Sequence, residues 1–540
     1  MLQAPINLQE TFVQKVYILY QLVQNVPDAL ATKIPPSQLV FSEGSANVSV
    51  INNKTWTHDQ ASLLLPTLAE TNFDIEFTTS ILQGFTCTSA KRLTTTKTQQ
   101  LIRACRPRLG RPKVELKESQ LTCMYNLIKG DLNQNFTDYP SDLLLYFKIQ
   151  DVQESNCRSY FSALGAADFS VASTILNKGR QLFSEARTCL GINGFILSRD
   201  NLNILGNMVC TLDSSYIMNS DPLILEKLKA CKDFSDSQVT AMETLLLSGV
   251  SQYGTVATWT LQTLQNLQQL PLYLTRNIWG KINTATKREF LKGFMPNLRN
   301  RNTPKAKLKN LFQQITSLVS KRGAGCLSGN ITDVTISDPA FPFGYDVTQF
   351  DLCLDIPVMT ENLYVICSKV DDNDFQTKIL KKLNQAYPSG VSEQQVQLLG
   401  SVSRVATLSD IFNWNITMID TLAALMKTED GNWPAAQSKE IITKYLNTSK
   451  KNLGITELNI IGSNVCTLDI STLSTITADS IRNIKRLNVS SCSLVQKRVL
   501  YEISNTSFNS FRVNSITFYN LIKGYLEHQH GHQYFQESGY

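Results

Sequence analysis

Apolar residues recur at steps of three and four along much of this chain. Trp259 heads the stretch WTLQTLQNLQQL, where Leu261, Leu264, Leu267 and Leu270 fall on one line. Trp414 heads WNITMIDTLAAL, where Ile416, Ile419, Leu422 and Leu425 fall at the same offsets. That period lays the residues along one stripe of an α-helix, which must pack on a neighbour. A second tryptophan follows each stretch, Trp279 and Trp433, and these rings and leucines read as core. Helix starts repeat the same chemistry: Thr57-His-Asp-Gln60, Ser235-Asp-Ser-Gln238 and Ser392-Glu-Gln-Gln395 each form a capping-box sequence before an apolar-periodic run. Asp221-Pro222 opens LILEKLKAC in the manner of a cap followed by an N1 proline. Alternating strand patterns are scarce, the best being DVTISDPA at 333–340. These elements predict an all-α protein with short connections, a stack of antiparallel helices.

One passage is written twice. Residues 203–217 read NILGNMVCTLDSSYI and residues 459–473 read NIIGSNVCTLDISTL, nine of fifteen positions being identical. A unit has been duplicated, and repeated units build scaffolds far more often than active sites. Asp213 and Asp469 close the two copies and are placed to cap the following helices. The chain divides into an N-terminal helical region (1–86), a basic linker or helix connection (87–120), a helical repeat region (121–320), an irregular Gly/Pro-rich insertion (321–350), a second repeat region (351–525) and a disordered tail (526–540).

Composition suits a packed protein, with 42% hydrophobic and 18% charged residues. A net charge of +6 over 540 residues is too mild to imply a nucleic-acid partner. The basic residues are bunched, nine in 91–117 and ten in 276–309. Such stretches engage polyanions such as sulfated glycans, or they are solvated faces and linkers open to proteases. Lys321-Arg322 reads as a cleavage point.

The twelve cysteines include no CxxC, which removes zinc ribbons and thioredoxin-like redox motifs. Their even number and wide spacing favour a disulfide-bonded protein of the secretory route. Each copy of the repeated passage is followed by a cysteine at similar distance, which predicts bridges Cys210–Cys231 and Cys466–Cys492. Cys353–Cys367 is expected as a third. Sequons at Asn47, Asn53, Asn135, Asn330, Asn415, Asn447, Asn488 and Asn505 are the candidate glycosylation sites. Asn330, in a Gly-rich loop, is expected to be the most accessible, and Asn415, beside Trp414 on an expected helix, to be partly masked. The N-terminal residues hold no signal-peptide core and the last residues no lipid-anchor tail, so a secreted protein of this sequence lacks the ends of its precursor.

Catalytic chemistry is hard to place. Outside the tail there is one histidine, His58, within a capping-box sequence and read as a surface residue. HExxH, GxSxG and the P-loop pattern are all absent. Gly323-Ala-Gly325 leads into NITDVTI without the spacing or helix of a dinucleotide loop. Asp371-Asp-Asn-Asp374 lacks the glycine and distal glutamate of a calcium loop and reads as a cap or turn. His528, His530 and His532 lie in a terminus with no fixed partners. No catalytic, cofactor-binding or metal-binding residue is expected.

The order Ile-Leu-Gly-x-x-Val-Cys-x-Leu, hydrophobic helix, Cys231, Gln238 capping box, Leu-rich helix and Trp259 resembles the repeated helical units of the mesothelin, stereocilin and otoancorin family. Parts of it return at 391–414 and 459–492. The resemblance implies a right-handed helical solenoid, an armadillo-like superhelix with disulfide-clipped repeats. It implies an extracellular or cell-surface glycoprotein acting in cell–cell or cell–matrix adhesion. Its partner would be a cell-surface glycoprotein, a mucin or extracellular matrix, with membrane attachment only through an anchor absent from this chain. A cytosolic protein-binding scaffold and a secreted polyanion-binding protein are the other readings.

Overall fold

The structure, a computed structural model, describes residues 2–20, 25–39, 47–71, 76–130, 135–170, 178–316 and 324–526. The all-α expectation holds: among these residues the β structure is a single parallel bridge between Val391 and Trp414. Most helices are short, and helices under ~12–15 residues are marginal alone, so packing must supply their stability. It does so by a recurring arrangement in which a helix rests on the next but one. Ser214–Asn219 packs on Asp236–Leu247 across Ile224–Leu228, Leu408–Phe412 on Ala435–Asn447, and Ile470–Leu473 on Leu494–Ser507. Stacking of this kind is how helical repeats bury faces that no single unit could cover.

Two compact units divide the chain. One comprises Met1–Leu116 with Tyr387–Tyr540, the other Lys117–Ala386. In the first, the early and late segments share a core: the His58–Thr71 helix packs on Ser515–Ile522, and Arg486 donates to Asp59 at 3.0 Å. The second unit has its own aromatic cluster, in which Phe147 stacks on Tyr160 at 6.0 Å and Phe136 meets Tyr160 edge-on at 5.3 Å. The expected division near 321–350 therefore falls inside a unit. Its described part is also more regular than expected, containing the helices Asp333–Ser337 and Val347–Cys353. The strand-like DVTIS is the first of these. Thr332 accepts the amide of Thr335, and that cap turns the segment into a helix despite its β-branched residues.

Local signals fare unevenly. Thr57/Gln60 and Ser235/Gln238 form their reciprocal capping boxes, whereas the Ser392 hydroxyl turns to the Gln395 side chain and caps nothing. Asp213 accepts the amide of Ser215 as an N-cap. Asp469 instead pairs with Lys439 at 2.9 Å. Asp221 accepts from Leu223, but the helix begins only at Ile224. Trp259, Trp279 and Trp414 are core, Trp279 and Trp414 fully buried, whereas Trp433 is half-buried. Trp414 sits in the bridge with Val391, so the helix expected from it starts at Ile419.

Candidate functional site

The duplicated passage folds the same way twice. The Arg199–Leu205 helix ends at Gly206 with φ +52° and ψ −125°, and Ile455–Ile461 ends at Gly462 with φ +50° and ψ −125°. A side chain is strongly disfavoured there, which is why both copies keep glycine. Each glycine turns the chain into a six-residue 3-10 segment, Gly206–Thr211 or Gly462–Thr467, that carries the half-cystine. Cys210 is bonded to Cys231 with Cα atoms 5.5 Å apart, and Cys466 to Cys492 at 4.5 Å.

A second clamp accompanies each bridge. Gln238 accepts from the Ser235 amide and donates to the carbonyls of Cys210 and Leu212 at 3.0 and 2.9 Å. Gln496 accepts from the Ser493 amide and donates to those of Cys466 and Leu468, both at 2.9 Å. One carboxamide thus caps a helix and satisfies the turn beside the disulfide. The Ser493-Leu-Val-Gln496 box was legible in the sequence but not read; its serine-to-glutamine spacing is the signal.

The structure reveals a third copy. Gly400 has φ +52°, opens the 3-10 segment Gly400–Val405, and is followed seven residues on by the capping Thr407, the offset of Asp213 from Gly206 and of Asp469 from Gly462. At the offset of the cysteine stands Arg404. Its guanidinium donates to the carbonyls of Gly431 and Lys427 at 2.8 and 2.7 Å and lies 4.5 Å from the Trp433 ring centre. An arginine here ties the turn to the next loop, where the other copies use a disulfide.

The third expected bridge is corrected. Cys353 is bonded to Cys326, with Cα atoms 4.9 Å apart, and Cys367 is a buried free thiol. Gln349 explains the choice: its carboxamide takes the amides of Leu327 and Ser328 at 2.6 and 3.0 Å and donates to Gly325, laying the 325–328 strand of chain on the Val347–Cys353 helix. Ile331 also donates to the Cys353 carbonyl. Cys157–Cys189 is a further bridge, and Cys87 and Cys123 are disulfide-bonded as well. Burial pushes the Cys105 thiol up to about 12 and raises that of Cys367 as well.

Seven of the eight sequon asparagines, Asn47, Asn53, Asn135, Asn330, Asn415, Asn447 and Asn488, are exposed. Asn415 is not masked, because it lies past the bridge and not on a helix. Asn505 is half-buried and accepts from Arg512.

The basic stretches are largely spent internally. In the first, Lys97 donates to the Ala69 carbonyl at 3.0 Å, Arg111 to those of Ala104 and Arg106 at 2.7 and 2.5 Å, and Arg108 pairs with Glu76. In the second, Arg276 donates to Gln313, Arg288 pairs with Asp338 at 2.6 Å and Arg299 with Asp371 at 3.0 Å. Asp372 accepts from the amides of Asp374 and Phe375, so the DDND run is a cap. His58 is half-buried, 4.0 Å from Asp59. Lys321-Arg322 and the tail histidines lie outside the described residues. Among the described residues no helix is long and apolar enough to cross a membrane, and no metal-holding cluster is gathered.

A mesothelin family model matches residues 37–531. The mouse mesothelin-like protein is 30% identical over 471 residues, covering 85% of this chain and 67% of its own length. The human mesothelin-like protein is 29% identical over 452 residues, covering 83% and 63%, and mouse mesothelin 25% identical over 483, covering 87% and 74%. The chain thus spans about two thirds of the length of the mesothelin-like proteins it matches. With the glycine-turned, clipped units in place and the match running over nearly the whole chain, the protein belongs to the mesothelin family.

Proposed function

We propose that this protein is a secreted or cell-surface glycoprotein that works by binding rather than catalysis, in cell–cell or cell–matrix adhesion, through the surface of its stacked helices. The observation that carries the extracellular part is the pairing of ten of the twelve cysteines together with seven exposed sequons. Disulfides at this density persist in oxidising compartments. A cytosolic scaffold would keep those thiols reduced, and two of the three copies of the repeated turn would lose their clip. The adhesion part rests on family membership, and a surface glycoprotein, a mucin or matrix is the proposed partner. The polyanion reading is weaker because so many of the basic side chains already serve protein oxygens.

Expression through the secretory route tests the reading. The expected result is a mobility shift on glycosidase treatment and retention of epithelial cells on the immobilised full chain. Absence of both the shift and cell retention, with the thiols free, would overturn it.

A further inference from the structure

The unit formed by Met1–Leu116 and Tyr387–Tyr540 carries a groove of about 310 Å³ where its early and late segments meet. That is the small end of the ~300–1,000 Å³ of ligand pockets. Leu63, Pro66 and Glu70 reach it from the His58–Thr71 helix at steps of three and four, hence from one helix face. Phe511, Val513 and Ile516 reach it from the late segment. Val513 is aliphatic and yet 97% exposed.

One polar group in this apolar setting is left over. Asn520, four residues after Ile516 on the Ser515–Ile522 helix, lines the groove and is 3% exposed. Its carboxamide oxygen has no hydrogen-bond partner among the described residues, while its backbone carbonyl is taken by Arg486. Buried acceptors are almost always paired, so a leftover one beside a groove calls for a donor from outside. Glu70 and Arg92 stand exposed at the rim, and neither pairs with an opposite charge among the described residues.

We propose that this groove binds an extended peptide segment of another protein through an aliphatic anchor residue flanked by charges of both signs. A carboxamide sets a donor beside an acceptor, the match of the N–H and C=O of a peptide backbone. Main-chain bonds of this kind hold a peptide in register while pockets select its side chains. Leu63, Phe511, Val513 and Ile516 supply the pocket for the anchor. Arg92 and Glu70 together favour a segment with an acidic and a basic residue near the anchor over a polyanion or an anionic membrane. An acyl chain would fill the apolar part and leave the Asn520 oxygen unpaired. The proposal goes beyond the adhesion reading, which requires no groove, and either can fail alone.

Selection of a displayed library of random dodecapeptides on the full chain, followed by fluorescence polarisation of the enriched peptide, tests the site. Enrichment of an aliphatic residue flanked by an acidic and a basic one is expected. Val513→Asp, at an exposed position, is expected to weaken that peptide about tenfold with the melting temperature unchanged. Asn520→Leu keeps the volume and removes the unpaired oxygen. It is expected to weaken binding about fivefold, one lost hydrogen bond, without lowering the melting temperature. Backbone N-methylation scanned along the peptide should find a position that weakens binding to the wild type by the same factor and leaves Asn520→Leu nearly unaffected. No enriched peptide, a peptide indifferent to Val513→Asp, or no N-methyl position coupled to Asn520 overturns the proposal. Dodecanoate binding that Val513→Asp abolishes, with no peptide enriched, would give the groove to a lipid. A dimer of the full chain that Val513→Asp dissociates would give it to a second copy, and either result overturns the proposal.

Discussion

Two buried tryptophans that open or close corresponding stretches differ at a single atom. The Trp279 indole donates to the Leu274 carbonyl at 3.2 Å, whereas the Trp414 indole N–H finds no partner among the described residues. Trp→Phe removes similar volume at both sites. It leaves the Leu274 carbonyl unpaired at one, and relieves an unpaired donor at the other. Trp279→Phe should therefore cost about 1–2 kcal/mol more than Trp414→Phe, measured by urea unfolding. Equal costs would mean that the Trp414 N–H is satisfied in solution.

At the scale of the element, the repeated turn makes a prediction that sequence identity alone would not. Gly206 and Gly462 share their backbone angles, yet a Cβ at Gly206 would lie 2.6 Å from the Gly165 carbonyl, while one at Gly462 meets nothing within 4 Å. Gly462→Ala should cost about 1–3 kcal/mol of backbone strain. Gly206→Ala should cost clearly more, because strain and collision add. Comparable losses would show that the two turns are not packed as described. The third turn has its own test. Arg404→Ala removes two carbonyl contacts and a ring contact and should cost about 2–3 kcal/mol. Arg404→Lys should restore little, since an ammonium cannot bridge both carbonyls as the planar fork does.

Much of this element was legible in the sequence. The Val-Cys-Thr-Leu-Asp run and its trailing cysteine are local features, and the Ser-x-x-Gln boxes announce the helices that follow. The third copy was not, because Arg404 replaces the cysteine on which the eye settles and only Gly400 and the cap at Thr407 remain. The Cys326–Cys353 bridge escaped for a different reason. Sequence distance favoured Cys367, but the chain path is set by Gln349, whose role exists only once residues 325–328 are folded against it. The basic stretches misled in the same way, since many of the oxygens that absorb them, those of Ala69, Glu76, Gln313, Asp338 and Asp371, belong to other segments.

For the molecule as a whole, the first unit's core is closed by charged groups from both ends of the chain. Burial, and then the neighbouring Lys33, lowers the Lys485 ammonium to about 8 from 10.5, while Glu10 opposes the shift. A lysine with a folded pKa below its unfolded one costs stability in full below pH 8. That cost fades as pH rises toward 10.5, because the unfolded chain then holds the extra proton. Relative to Lys485→Met, the wild type should thus gain about 1–3 kcal/mol between pH 8 and 10.5, read from paired unfolding curves. A constant difference across that window would contradict the half-buried placement of Lys485.

The repeated turn, the proposed extracellular setting and the fold's stability all depend on the disulfides. Peptide mapping of the secreted full chain under non-reducing conditions, with thiols alkylated after unfolding, reads every one. The predicted result is linked peptides for Cys157–Cys189, Cys210–Cys231, Cys326–Cys353 and Cys466–Cys492, no free thiol at Cys87 or Cys123, and alkylation at Cys105 and Cys367. Free thiols at Cys210 and Cys466, or a Cys353–Cys367 link, would contradict it.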